Sequence, residues 1–210
     1  MPLRVLVADD HQIVRQGFRA LLEREGHAVV AEATDGQEAV KLAKAVNPDI
    51  AVLDLIMPLL NGIDAAREIL RACPRTRVIL LTMHTEEHQV VMALRAGVRG
   101  YLVKTQAAED LVQAIREVAD GRIYLSPRVS HIVVEGCLAG VSPRSDPLAP
   151  RERQVLQLVA EGKTSKEIAA LLSLTAKSAE SYRTRIMEKL NIHDTAGLVR
   201  YAIRQGWIEP

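Results

Sequence analysis

Two rhythms of hydrophobic and polar positions divide the chain. In the first 120 residues, short apolar runs recur at Leu3–Ala8, Ala28–Ala31, Ile50–Leu53, Val78–Leu81 and Tyr101–Val103. Several are rich in β-branched side chains, and runs this short read as buried strands. Between them, apolar positions fall three and four apart. Val14, Phe18, Leu21 and Leu22 share one helical face, as do Leu111, Ala114, Ile115 and Val118. Five strands alternating with five helices predict an α/β fold built on a doubly wound, five-stranded parallel sheet. In that architecture a site lies beyond the carboxyl ends of the strands.

The rhythm changes after Gly121. The stretch to Pro150 carries four of the nine prolines, with several Gly and Ser. Ser126-Pro127 pairs a capping serine with proline at the first helical position, so a short helix is expected to about Gly136. Ser142 to Ala149 reads as an exposed linker. The last 60 residues show no strand pattern. ERQVLQLVAEG is an amphipathic helix stopped at Gly162, and Thr164 with Glu167 forms a capping box for KEIAALL. A brief SLT turn leads to AKSAESYRTRIMEKL, and a closing helix runs from about Thr195 to Gln205. This is the grammar of a small all-α helix-turn-helix bundle. The expected organisation is therefore a domain at 1–121, a partly helical linker at 122–147 and a bundle at 148–210.

Composition narrows the function classes. Half the residues are apolar and a quarter charged, as in a globular chain. No apolar run is long enough to span a bilayer, and MPLRVLVADD has no signal-like stretch. Cys73 and Cys137 make neither a metal pair nor a disulfide framework, which fits a reducing cytoplasm. The net charge of +1 conceals an acidic front, −3 over residues 1–120, and a basic back, +3 over 151–210. The two ends are thus expected to meet different partners.

The front carries a pocket. Asp9 and Asp10 end the first strand, Asp54 the third and Thr82 the fourth, while Lys104 follows the fifth. Three crowded carboxylates repel one another, and a hard dication such as Mg²⁺ relieves that repulsion. Lys104 adds a fixed positive charge. A group that is anionic, metal-bound and gripped by a hydroxyl and an ammonium is a phosphoryl group. Asp54 is the natural nucleophile, since a carboxylate can accept phosphoryl directly. His11 opens the first helix and reads as a solvated cap-region residue; Gly62 and Met57-Pro58 read as structural.

ADD at 8–10, VLDLIMPLLNG at 52–62, LLT at 80–82 and GYLVK at 100–104 resemble the receiver domain of two-component response regulators. The resemblance covers about residues 3–121. It implies that Asp54 is phosphorylated by a sensor histidine kinase. It also implies that Asp9, Asp10, Asp54 and the backbone carbonyl of Ile56 hold Mg²⁺, directly or through water. Thr82 and Lys104 would grip the phosphoryl oxygens, with Tyr101 the aromatic switch that turns inward when Thr82 moves. Receiver geometry puts Ile56 and His84 beside the path of the water that removes the phosphoryl group. Thr105 departs from the proline that many receivers carry there.

On a helical wheel centred on Ala179, the residues Ala179, Tyr182, Ile186 and Leu190 form one stripe. Lys177, Glu180, Ser181, Thr184, Arg185 and Glu188 take the opposite half. Small polar side chains let a helix seat in the major groove, and flanking cations meet phosphates. The segment from Leu148 to Ile192 is similar to the LuxR-type helix-turn-helix domain, through PRE at 150–152, EGK at 161–163 and KEIA at 166–169. With the receiver in front, the chain resembles a response regulator of the NarL/FixJ class. Ala179 and Tyr182 depart from the usual Val and His. The family pattern directs Glu180, Ser181 and Thr184 to base edges, and Lys177, Arg183, Arg185 and Lys189 towards the backbone. On the closing helix, Leu198, Tyr201 and Ala202 are the candidate dimer seam.

The expectation is a cytoplasmic, phosphorylation-controlled transcription factor. It would bind double-stranded promoter DNA as a homodimer, with RNA polymerase a further partner, and would not turn over an external metabolite. One alternative is a phosphorylation-independent DNA-binding regulator. Another is a Mg²⁺-dependent phosphohydrolase, which needs a second carboxylate to protonate the leaving group; the residues after Asp54 are Leu-Ile-Met-Pro. A third is an adaptor that docks proteins, which salt-sensitive DNA binding would exclude.

Overall fold

The computed structural model describes residues 2–83, 86–104, 107–138 and 147–209, without the side chains at 107–109 and 135–138. His84 and the linker residues 139–146 lie outside the described residues. The chain forms two compact units, Met1–Pro143 and Arg144–Pro210.

In the first unit, β1 (Arg4–Ala8), β2 (Ala28–Ala33), β3 (Ile50–Asp54), β4 (Arg77–Thr82), β5 (Gly100–Val103) and β6 (Tyr124–Leu125) make one sheet. Its order is β2-β1-β3-β4-β5-β6, and every pairing is parallel. Crossovers are supplied by α1 (Gln12–Arg24), α2 (Gly36–Val46), α3 (Gly62–Ala72), α4 (Glu87–Arg95) and α5 (Ala107–Ala119), and α6 (Pro127–Leu138) follows β6. Alternation along the strands builds two cores. Val5, Val7, Ile50, Val52, Ile79, Leu81 and Leu102 pack with Phe18 and Leu22 of α1 and Leu111, Ala114, Ile115 and Val118 of α5. Leu6, Ala8, Ala51, Leu53, Val78, Leu80, Tyr101 and Val103 face the other way, onto α2, α3 and α4. A strand buried on both sides has no polar phase, which is why the runs read as continuous.

The region expected to be linker divides differently. Gly100 and Tyr101 pair in register with Tyr124 and Leu125, so the sheet has six strands rather than five. From α6, Val129 is wholly buried in the core that holds Tyr101. Burying one such side chain contributes roughly 1.5–3 kcal/mol. Residues 122–138 therefore belong to the first unit. A two-residue strand has no periodicity to reveal it, although the Ser126-Pro127 helix start does stand where the sequence put it.

The second unit contains α7 (Pro150–Ala160), α8 (Ser165–Leu171), α9 (Ala176–Leu190) and α10 (Thr195–Arg204). The capping box closes as expected: Glu167 N–H donates to the Thr164 hydroxyl at 3.3 Å, and Thr164 N–H donates to Glu167 Oε2 at 2.8 Å. Gly162 adopts φ +80°, a left-handed turn that stops α7. Leu198 and Ala202 are fully buried, on a helix that packs against α7. Tyr201 is half-buried and meets Trp207 edge-on, ring centroids 5.9 Å apart. Of the three residues expected at a dimer seam, Leu198 and Ala202 are thus part of the bundle's own core, while Tyr201 keeps part of its surface open. On the same helix Val199, Tyr201 and Ile203 remain only half-buried.

Candidate functional site

Register brings the acidic residues together. Ala8 pairs with Leu53 across β1 and β3, which places Asp9 beside Asp54 where the strand order reverses. On the other flank Thr82 pairs with Val103, which sets Lys104 at the same edge. Asp9, Asp54 and Thr82 are buried, while Asp10 is exposed. Lys104 Nζ lies 2.8 Å from Asp9 Oδ2 and 2.7 Å from Asp54 Oδ2.

The electrostatics follow from crowding. Burial pushes Asp54 up to about 7, against the pull of Lys104 and with the help of the Asp9 and Asp10 charges. Burial opposes the charge on Lys104, but the Asp54 and Asp9 carboxylates together hold its pKa above the ordinary lysine value. One ammonium cannot satisfy three carboxylates. One ligand atom each from Asp9, Asp10, His11 and Asp54 lies within 4.8 Å of the others. This hard, oxygen-rich and electron-rich donor set fits a dication such as Mg²⁺.

The walls are held from several directions. Arg15 Nη1 donates to the Asp9 carbonyl at 2.7 Å, and the His11 amide to Asp9 Oδ1 at 3.0 Å. After β3 the chain doubles back, with Gly62 N–H donating to the Leu55 carbonyl at 2.9 Å. A Cβ on Gly62 would stand 2.1 Å from the Asp54 carbonyl oxygen, so only glycine permits this return. Ile56 lies in the returning loop, partly buried against the core. Tyr101 is wholly buried, and burial raises its phenol pKa against the influence of the Thr82 hydroxyl.

In the second unit, α9 buries Ala179 and Ile186, with Tyr182 and Leu190 half-buried. Lys177, Glu180, Ser181, Thr184, Arg185 and Lys189 are exposed, and Arg183 is half-buried with its guanidinium on the Thr195 hydroxyl. Ser181 and Thr184 donate back to the Lys177 and Glu180 carbonyls at 2.9 and 3.2 Å. Each hydroxyl thereby stays close to the helix with its acceptor side outward. The Arg185 guanidinium lies 4.8 Å over the Tyr182 ring. Lys189, expected to lie nearer the DNA backbone, has its Nζ 2.7 Å from Glu152 Oε2 in α7, and Glu152 also accepts from the Ala149 N–H at 2.8 Å. This ion pair, His11 facing the carboxylates and Arg15 behind Asp9 are features that sequence reading missed. The glutamate three residues into α7 was the only local signal for any of them.

Residues 5–116 match the family model for the response regulator receiver domain, and residues 146–202 that for bacterial regulatory proteins of the luxR family. The chain belongs to the LuxR-type response regulators. The regulator is 36% identical over 205 residues to the transcriptional regulatory protein MctR of Rhizobium johnstonii, covering 97% of this chain and 94% of that one. It is 37% identical over 210 residues to the response regulator UvrY of Escherichia coli K12, covering 97% and 95%. Among solved structures, it resembles RcsB from Salmonella enterica serovar Typhimurium bound to promoter P1flhDC in the presence of phosphomimetic BeF3⁻. The TM-score there is 0.64 at 30% identity, over 96% of this chain and 98% of that one. The regulator is therefore a DNA-binding transcription factor of a two-component system, of a family that regulates transcription rather than turning over a metabolite.

Proposed function

We propose that Asp54 accepts a phosphoryl group from a sensor histidine kinase and that this controls binding of α9 to promoter DNA. The observation that carries the reading is the charge around Asp54: a buried carboxylate against two others, with Lys104 bridging two of the three. Mg²⁺, held by Asp9, Asp10, Asp54 and the Ile56 carbonyl, would neutralise the carboxylates and the incoming phosphoryl oxygens. Lys104 is already within contact distance of Asp54 and can transfer its ion pair to a phosphoryl oxygen without moving far. Thr82, buried at the adjacent strand end, supplies a hydroxyl to a second oxygen. Tyr101 lies within reach of the Thr82 hydroxyl and shares its core with Val129 of α6, so a shift of Thr82 would be passed to β5 and α6. Phosphorylation then acts by favouring one of two arrangements of this face.

On DNA, Glu180, Ser181 and Thr184 face base edges while Lys177, Arg183 and Arg185 meet phosphates, and the regulator binds as a homodimer. Among the described residues no helix is long and apolar enough to cross a membrane, and we assign the regulator to the cytoplasm. The test combines an acyl-phosphate donor, Mg²⁺ and selection of DNA sequences from a random pool. Incorporation of one phosphoryl group at Asp54, with tighter binding to selected sites, is expected. Labelling that persists in Asp54→Ala would overturn the assignment.

A further inference from the structure

His11 stands at the capping position just before α1, yet its imidazole makes no capping hydrogen bond. It turns the other way. Nδ1 lies 2.7 Å from Asp10 Oδ1 and 3.4 Å from Asp9 Oδ1. The side chain is 56% exposed, so no packing forces it into this position. Its ligand atom falls inside the same 4.8 Å cluster as those of Asp9, Asp10 and Asp54. The His11 amide is tied to Asp9 Oδ1 at 3.0 Å, which fixes the backbone from which the ring swings.

We propose that His11 is a nitrogen ligand of the divalent-cation site, making it a mixed imidazole–carboxylate centre that favours first-row transition dications over Mg²⁺. The proposal rests on the reading of this cluster as a cation site. A site of carboxylates, carbonyl and water suits Mg²⁺, whereas an added imidazole strengthens binding of Co²⁺, Ni²⁺ or Zn²⁺ far more than binding of Mg²⁺. Two features of the geometry serve this role. The ring already touches the exposed carboxylate of Asp10, the acid most open to solvent and to an arriving ion. Lys104 approaches Asp9 and Asp54 through their Oδ2 atoms, while His11 faces Asp9 through Oδ1. The ammonium and the imidazole therefore use different edges of the same carboxylate.

Pulsed electron paramagnetic resonance of the full chain loaded with Mn²⁺ reads this directly, because a coordinated imidazole nitrogen modulates the electron spin echo. Wild type should show that modulation, and His11→Ala should lose it. Calorimetric titration should show Co²⁺ affinity falling about tenfold in His11→Ala, with Mg²⁺ affinity unchanged within about twofold. His11→Asn keeps a residue that caps helices well and should behave like the alanine variant; matching thermal unfolding of all three proteins confirms that the fold is retained. Bound Mn²⁺ without nitrogen modulation in wild type would overturn the role of His11. Equal loss of Co²⁺ and Mg²⁺ affinity would do the same, by reducing His11 to a prop for Asp10. Absence of any Mg²⁺ or Mn²⁺ binding would instead overturn the underlying reading of the site.

Discussion

The pocket of the first unit and the recognition face of the second manage charge in opposite ways. In the pocket, three carboxylates meet one ammonium, and burial, which Lys104 does not offset, pushes the Asp54 pKa up to about 7. In the bundle, Glu152 meets Lys189 and the Ala149 N–H, and the balance of Lys189 and that hydrogen bond against burial leaves its pKa below the ordinary glutamate value. One region keeps an electrostatic demand unmet; the other keeps its demands satisfied. A switch needs the first condition, because an incoming ion or phosphoryl group can only redirect a structure that gains by the change. A reading helix needs the second, because its side chains must already stand where the DNA will be.

The largest expected effect breaks the first half of that comparison. Asp54→Ala should abolish phosphoryl labelling altogether. Asp54→Asn should also stabilise the metal-free protein, with a definite pH dependence. A carboxyl raised from 3.8 to about 7 on folding costs stability progressively as pH rises between those values. The gain from Asn should therefore be small near pH 4 and full above pH 7, on the order of 1–3 kcal/mol. Urea unfolding in the presence of EDTA across that range would measure it; a gain independent of pH would show that Asp54 is not strained by its charge.

The next largest effect concerns the reading helix. Ser181→Ala or Thr184→Ala should relax preference at individual bases by roughly 1–3 kcal/mol. Arg185→Ala should weaken all sequences alike and reduce the salt slope by about one charge. Identical behaviour of the two classes in a binding-site array would mean that α9 is oriented otherwise.

Glu152→Ala breaks the second half of the comparison. It removes the partner of Lys189 and the acceptor of the Ala149 N–H, so α7 should lose its cap and α9 an anchor. The expected cost is on the order of 1–2 kcal/mol of unfolding free energy for the second unit. Restoration by Glu152→Gln of the cap alone would separate the two contributions. The smallest effect is kinetic. Ile56 is apolar and β-branched, two residues past Asp54; on the proposal that it borders the path of the attacking water, Ile56→Asn should hasten loss of the phosphoryl group several-fold, and Ile56→Ala less. A phosphate half-life unchanged in Ile56→Asn would place control of water access elsewhere.

Much of this molecule is written in short stretches of its sequence. Each of the first five strands declares itself within a run of three to six mostly apolar residues, and the polar ends of the first, third, fourth and fifth follow directly from their runs. The five-strand pattern and the pocket set of Asp9, Asp10, Asp54, Thr82 and Lys104 are therefore legible along the chain alone. The Thr164–Glu167 box and the Gly162 stop are equally local, because each is complete within one helical turn. Other features have no local signature. The pairing of Tyr124 and Leu125 with β5 needs a neighbouring strand edge to exist first. The burial of Leu198 and Ala202 depends on where α7 lies, since an apolar stripe looks the same whether its cover is its own bundle or a second copy. Lys189 finds Glu152 across 37 residues of sequence. His11 turned from its helix to the carboxylates because the fold had already concentrated negative charge beside it. Periodicity and capping depend on a few adjacent residues and can be read along the chain. Partner choice among distant residues follows from which groups packing leaves adjacent and unpaired, and only the tertiary structure decides that.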